Sequence, residues 1–459
     1  MIIMNIFSIS THLQLMMRIM AKHFLKRSVL AGVFLVSTVL CIYSLSLLNG
    51  SNVDKNAQHL GVQRSKLFDL NYNQYSSTGK TGTQRPYYGY YGDGYNVRNL
   101  PPNLFKLAPE VFDAIPETFL PSFKNPCFFY RGVVPPGLRC LPYFYLIGMQ
   151  KCGSTDLWEK INAHREIQHN DKEPHWWARY RVRELPPEYS FNVTTPLSLS
   201  WYLDVMSYRI VPKLLDNPIM ANWLVVGDGS TSTLWDNAWQ QPSNRIDGPE
   251  YVIADVIKEV QPNAKFIVVL RNPTERVYSD YLFFGNEDDQ FISKRHFHEI
   301  VDEGIRRYQR CTQNRSSRAC TYAHGTQSSR LLLGNYAVFL RDWLRIFPRE
   351  QILVLRLEDW QSRCISKLKE IYRFLELSPL KRSGLSFICG AEKIRTNTQM
   401  KKRVGEMLDE TRTLLNNFYS PMNAELSELL NSTKFLWNDV THLPVAIEHG
   451  QAFGSRRFP

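Results

Sequence analysis

YLIGMQKCGSTDLW, residues 145–158, is an apolar strand that runs into a turn bounded by Gly148 and Gly153 and then opens a helix at Ser154. The two glycines let backbone approach an anion closely, the N–H groups of Cys152 to Thr155 point outward at a helix start, and the helix dipole adds about half a positive charge there. The segment therefore reads as a phosphate cradle, and a strand–cradle–helix unit predicts an α/β protein. Its spacing is not that of an ATP-binding P-loop, G-x-x-x-x-G-K-[ST], because Ser154 and Thr155 follow Gly153 directly and the lysine sits inside the loop as Lys151.

Lys151 to Thr155, Lys-Cys-Gly-Ser-Thr, resembles the 5′-phosphosulfate loop of sulfotransferases, enzymes that use 3′-phosphoadenosine 5′-phosphosulfate. The resemblance implies that Lys151, Cys152, Gly153, Ser154 and Thr155 bind this co-substrate and that Lys151 stabilises the leaving group. A second strand-to-helix unit agrees. KFIVVL, residues 265–270, has the continuous apolar character of a buried parallel strand, and Arg271, Asn272 and Pro273 follow as a charged strand end, an N-cap and a first helical residue. RNPTERVYSDY resembles the 3′-phosphate motif of carbohydrate sulfotransferases, which implies Arg271 and Ser279 as ligands of the 3′-phosphate. Arg276, four residues before Asp280, also reads as an ordinary i,i+4 partner.

DKEPHWWAR, residues 171–179, follows the loop by about twenty residues. Sulfuryl transfer needs one base for the acceptor hydroxyl and one cation for the departing phosphate. By resemblance to glycosaminoglycan sulfotransferases Glu173 is the base, with His175 as the alternative. His175, Trp176 and Trp177 are candidate acceptor contacts, the indoles as sugar-stacking rings or as core residues. Together with GDGSTSTLWDNAW at 227–239 and the segment 408–430, this stretch resembles the branch that includes N-acetylgalactosamine 4-sulfate 6-O-sulfotransferase, over roughly 141–437. Gln150 stands where that family often has proline. The Glu-Lys-(Ser/Thr)-Pro run of the heparan 3-O-sulfotransferases is missing, leaving Asp228 or Ser230 as replacements for its substrate-contacting lysine. Basic residues at 397–403 put Lys401 or Arg403 forward to close over the nucleotide.

With 55 Lys and Arg against 43 Asp and Glu, the net charge of +12 suits an acidic polysaccharide acceptor. Zinc-ligand spacing, an RNP pattern and dense basic tracts are missing, so nucleic acid is not the expected partner, and the chemistry assigned to Lys151 needs no metal. A P-loop nucleotidase, with 223–228 as a Walker B strand, is the competing enzyme class and would require magnesium; a lectin-like binder would take glycan without nucleotide.

Residues 28–48 form an uncharged run of 21, about 31 Å long as a helix, preceded by Arg18, Lys22, Lys26 and Arg27. The positive-inside rule predicts a cytosolic tail at 1–27, a transmembrane signal anchor at 28–48 and a lumenal remainder, which the resemblance places in the Golgi as a type II membrane enzyme. Residues 49–124, with their Tyr/Gly and Pro content, read as a stem, and 125–459 as one lumenal catalytic domain. The expected strands 143–147, 223–226, 265–270 and 351–355 alternate with helical stretches such as 251–260 and 331–346, which predicts a doubly wound parallel sheet, and the resemblance implies that this is the P-loop-like sulfotransferase fold. Seven of the eight cysteines are lumenal by this reading, and the six apart from Cys152 allow fifteen connectivities. Cys127 with Cys140, Cys311 with Cys320 and Cys364 with Cys389 is the proposed set, leaving Cys152 free. Glycosylation acceptors occur at Asn49, Asn192, Asn314 and Asn431.

Overall fold

The structure is a computed structural model that describes residues 99–133, 137–182, 196–237, 245–284, 292–325, 330–391 and 398–438. The apolar run 28–48, the stem up to residue 98, Asn49 and Asn192 lie outside the described residues. The fold is built on five parallel strands: β3 (Phe144–Gly148), β4 (Ile167–Gln168), β5 (Val225–Asp228), β6 (Lys265–Leu270) and β7 (Ile352–Arg356). A separate antiparallel hairpin, β1 (Cys127–Tyr130) and β2 (Gly137–Cys140), precedes them.

The sheet order is β4-β5-β3-β6-β7. From β3 the chain steps to one side through β4 and β5, then crosses β3 and runs to the other side through β6 and β7. Right-handed crossovers in opposite directions put their helices on opposite faces. The helix contacts fit this: Ser154–Asn162 packs against Cys364–Phe374, while Ile253–Val260 packs against Tyr336–Ile346. The sheet is thus doubly wound, and the connections leaving β3 and β6 diverge, opening a crevice at the carboxyl ends of those adjacent strands. Both anion-binding segments read from the sequence end there.

The expected catalytic-domain boundary at residue 125 is corrected by the packing. One-turn helices Pro102–Phe105 and Pro109–Phe112 each begin with proline at the first helical position, and Leu104, Val111, Phe112 and Ile115 are buried in the main core. Arg181 fastens this segment by donating to the Leu107 carbonyl and the Glu110 carboxylate, each at 2.9 Å. The folded unit therefore includes residues 99–124, whose proline-broken apolar positions show no helical or strand period. The stretch 331–346 is two elements, a 3₁₀ turn at Leu331–Gly334 and a helix at Tyr336–Ile346.

All three proposed disulfides are present, and Cys152 is free and buried. Cys127 and Cys140 are direct partners across the hairpin, which docks on helix Leu199–Ser207 through Arg139 to Asp204 at 2.9 Å and the Cys140 N–H to Ser207 Oγ at 3.0 Å.

Candidate functional site

β3 delivers the loop 149–153 to the crevice, where Met149 N–H donates to the Val269 carbonyl of β6 at 2.8 Å. Lys151 (φ 62°) and Gly153 (φ 76°) are both left-handed. A Cβ at Gly153 would lie 2.5 Å from Leu357 Cδ1, so backbone geometry and space both require glycine. Helix Ser154–Asn162 starts at Gly153 with no side-chain cap, leaving the anion-attracting end of the helix to a ligand. Lys151 Nζ sits 3.3 Å over the Phe283 ring.

The second segment is joined to this loop. Arg271 Nη1 donates to the Lys151 carbonyl at 3.5 Å, and the Arg271 carbonyl accepts from Tyr336 Oη at 2.8 Å. The same hydroxyl lies 3.8 Å from Cys152 Sγ. Burial pushes the Cys152 thiol up to about 12, so this cysteine is a packing residue whose place in the cradle is that of its backbone. Arg271 also faces Glu275 at 4.0 Å, and Glu275 pairs with Arg412. Burial alone would raise the Glu275 carboxyl, but Arg412, Arg271 and Lys401 outweigh it and hold it below the usual range. Lys401 therefore belongs to the Arg271 cluster, and it pairs with Glu406 at 2.8 Å; Arg403 is exposed on the same short helix, Thr398–Val404. Ser279 is half-buried on helix Pro273–Phe284, whose Arg276 and Asp280 form the expected i,i+4 pair, fully buried at 3.0 Å.

The third segment brings its charged groups to the loop. Glu173 (φ 67°) and His175 (φ 49°) are non-glycine residues in left-handed backbone, an arrangement that surrounding contacts must hold. His175 N–H donates to Ser230 Oγ at 2.9 Å, and His175 Nδ1 shares a hydrogen bond with Ser232 Oγ at 2.7 Å. Glu173 accepts from Thr231 Oγ1 at 3.4 Å, lies 3.6 Å from His175 Nε2 and pairs with Lys172. Burial would raise its carboxyl, but His175 and Lys172 prevail and hold it well below the usual carboxylate range. Lys172, which the sequence reading passed over, also donates to Ser154 Oγ at 3.3 Å and Thr155 Oγ1 at 3.4 Å. One ammonium thus links the candidate base to the phosphate cradle.

The tryptophan reading requires correction. Trp176 and Trp177 are 0% and 1% exposed and face the core, so neither presents a ring to a sugar. Trp176 stacks on Tyr202 with ring centroids 4.6 Å apart. Trp177 Nε1 donates to Tyr202 Oη at 3.0 Å, Tyr202 donates to Asp228 Oδ2 at 2.8 Å, and Asp228 Oδ1 accepts the Ser230 N–H at 2.9 Å. Ser230 in turn accepts the His175 N–H, so a buried relay runs from the tryptophan pair to the backbone of the base segment. Asp228 and Ser230 accordingly support His175, with Asp228 1% exposed and its carboxyl raised by burial. The run of hydroxyls at 230–233 was the available sequence signal for these supports.

Three similarities in sequence bear on this site. The family model described as "Sulfotransferase domain" matches residues 142–401. Mouse carbohydrate sulfotransferase 15 is 33% identical over 399 residues, covering 75% of this chain and 70% of that protein. Human bifunctional heparan sulfate N-deacetylase/N-sulfotransferase 3 is 24% identical over 352 residues, covering 73% of this chain but 35% of that protein. Among solved structures, a sulfotransferase from Alicyclobacillus acidocaldarius aligns over 64% of this chain and 97% of its own, with 22% identity and a TM-score of 0.42.

Proposed function

Because the chain belongs to the sulfotransferase family, and within it to the carbohydrate sulfotransferases, we propose that it transfers a sulfuryl group to the 6-hydroxyl of N-acetylgalactosamine 4-sulfate in chondroitin or dermatan sulfate. The observation that carries the proposal is the contact of Lys172 with both Glu173 and the hydroxyls of Ser154 and Thr155, which sets a carboxylate beside the cradle. The co-substrate 3′-phosphoadenosine 5′-phosphosulfate supplies an activated sulfuryl group on a phosphate leaving group. The residues present fit it: an uncapped helix start, a glycine whose Cβ would not fit, and cationic side chains at Lys151, Lys172 and Arg271. Ser154, Thr155 and Lys151 would hold the 5′ end, and Arg271 with Ser279 would hold the 3′-phosphate. Glu173, kept ionised by its neighbours, accepts the proton of the acceptor hydroxyl, and Lys151 supports the negative charge that grows on the phosphate oxygen.

The galactosamine acceptor is supported by the likeness of 172–177 to that branch and by the identity to carbohydrate sulfotransferase 15. A heparan-type acceptor is the second reading, supported by the likeness to a heparan sulfate N-sulfotransferase. Incubating the full chain with labelled co-substrate and a panel of polysaccharides, then analysing product disaccharides, tests both. Label on the 6-position of 4-sulfated galactosamine is expected; label on glucosamine overturns the acceptor, and no label on any glycan overturns the function.

Residues 28–48 are proposed as the anchor of a Golgi type II protein with a lumenal catalytic domain. Support comes from three disulfides and from exposed acceptors at Asn314 and Asn431. Protease added to intact vesicles is expected to remove only the amino-terminal tail, and digestion of the catalytic domain would refute this topology.

A further inference from the structure

Lys172 occupies a junction. Its side chain is 11% exposed, and its stem is confined where a Cβ at Gly229 would lie 3.0 Å from Lys172 Cγ and equally close to the Trp158 ring. From there the ammonium reaches Ser154 Oγ, Thr155 Oγ1 and the Glu173 carboxylate, residues from two chain segments with different tasks. Ser154 and Thr155 belong to the anion cradle, and Glu173 to the acceptor side. An anion that accepts hydrogen bonds from both cradle hydroxyls comes near the ammonium, because the ammonium already contacts both. It then competes with Glu173 for the same cation, and charge-assisted bonds of this kind are strong enough for the competition to matter.

Resting on the sulfotransferase reading, we propose that Lys172 is a positioning residue that couples occupancy of the phosphate loop to the freedom of Glu173. In the unliganded protein the ammonium pairs with the carboxylate. Nucleotide in the cradle draws the ammonium toward its 5′ anionic group and releases Glu173 to take a hydroxyl proton. The base is thereby held back until the sulfuryl donor is present, and an acceptor arriving first meets a carboxylate that is already paired. Coupling between two sites is reciprocal, so Glu173 must also weaken nucleotide binding, through Lys172.

The test is calorimetric binding of 3′-phosphoadenosine 5′-phosphate to the full chain as wild type, Lys172→Met, Glu173→Gln and the double variant. Lys172→Met is expected to weaken binding about tenfold or more, and Glu173→Gln to tighten it about threefold or more, because the ammonium is no longer shared. In the Lys172→Met background Glu173→Gln should leave affinity unchanged. Lys172→Arg should recover most of the lost affinity, a rescue that a merely structural defect would not permit. A Glu173→Gln gain that persists undiminished without Lys172 means the carboxylate repels the nucleotide directly and overturns the coupling alone. No binding by the wild-type chain overturns the sulfotransferase reading and the coupling with it.

Discussion

Tyr202→Phe removes one oxygen atom and leaves the packing of the ring on Trp176 intact. That oxygen accepts from Trp177 Nε1 at 3.0 Å and donates to Asp228 Oδ2 at 2.8 Å, with all three residues buried. A hydrogen bond to a charged group contributes about 1.5–3 kcal/mol, and a buried donor left without its acceptor costs about 1–3 kcal/mol, so the substitution should destabilise the fold by about 3–5 kcal/mol. Most phenylalanine-for-tyrosine changes on a surface would stay within about 0.5 kcal/mol. Denaturant titration followed by tryptophan fluorescence measures the difference. The pH dependence is a second signature. Burial already raises the Asp228 carboxyl in the folded state above its ordinary 3.8, so its ionised form costs stability, and that cost is relieved as pH falls through the folded value. Losing the tyrosine donor raises the folded value further, so the deficit of the variant should shrink as pH falls from neutrality through that value. A loss below about 1 kcal/mol, or a deficit that grows on acidification, would refute the view that this relay holds an ionised Asp228.

Glu173→Gln is expected to lower turnover by about 10²-fold or more while the fold is retained; retained turnover, with loss in His175→Ala, would move the base role to the histidine. Arg271→Ala should weaken 3′-phosphoadenosine 5′-phosphate by about 2–4 kcal/mol but scarcely affect an analogue without the 3′-phosphate, and equal losses by calorimetry would mean that Arg271 acts through its bond to the Lys151 loop. Cys152, whose thiol burial pushes up to about 12, should resist alkylation at pH 8 in the native chain and react only on unfolding, as mass spectrometry of trapped peptides would show.

How far the sequence could be read follows the physics of each signal. β6 is found at its expected bounds, 265–270, because it is a central strand covered on both faces and its apolar run is unbroken. β4 has two residues, Ile167–Gln168, too few for any period to register. Arg271 and Lys151 were legible because each follows an apolar strand at its carboxyl end, where open α/β sheets bind their ligands. Lys172 was not, since a lysine beside a glutamate looks like an exposed pair, and only the fold brings it to Ser154 and Thr155. The tryptophans misled for a related reason: aromatic residues beside a candidate base carry no sign of which way they face, and the π-helical turn Trp176–Tyr180 points both inward.

The disulfides carry a consequence for how the molecule matures. Their partners are 13, 9 and 25 residues apart, and each closes a neighbouring pair of elements: the hairpin, helices Lys294–Thr312 and Ser317–His324, and helices Cys364–Phe374 and Arg382–Gly390. None of them ties one strand of the parallel sheet to another. Each cysteine finds its mate by closing a short loop, at small entropic cost and without waiting for distant parts of the chain to dock. The odd thiol, Cys152, is sealed under Tyr336 and removed from exchange once the core has closed. Among the described residues oxidation is therefore three local events, none of which depends on another.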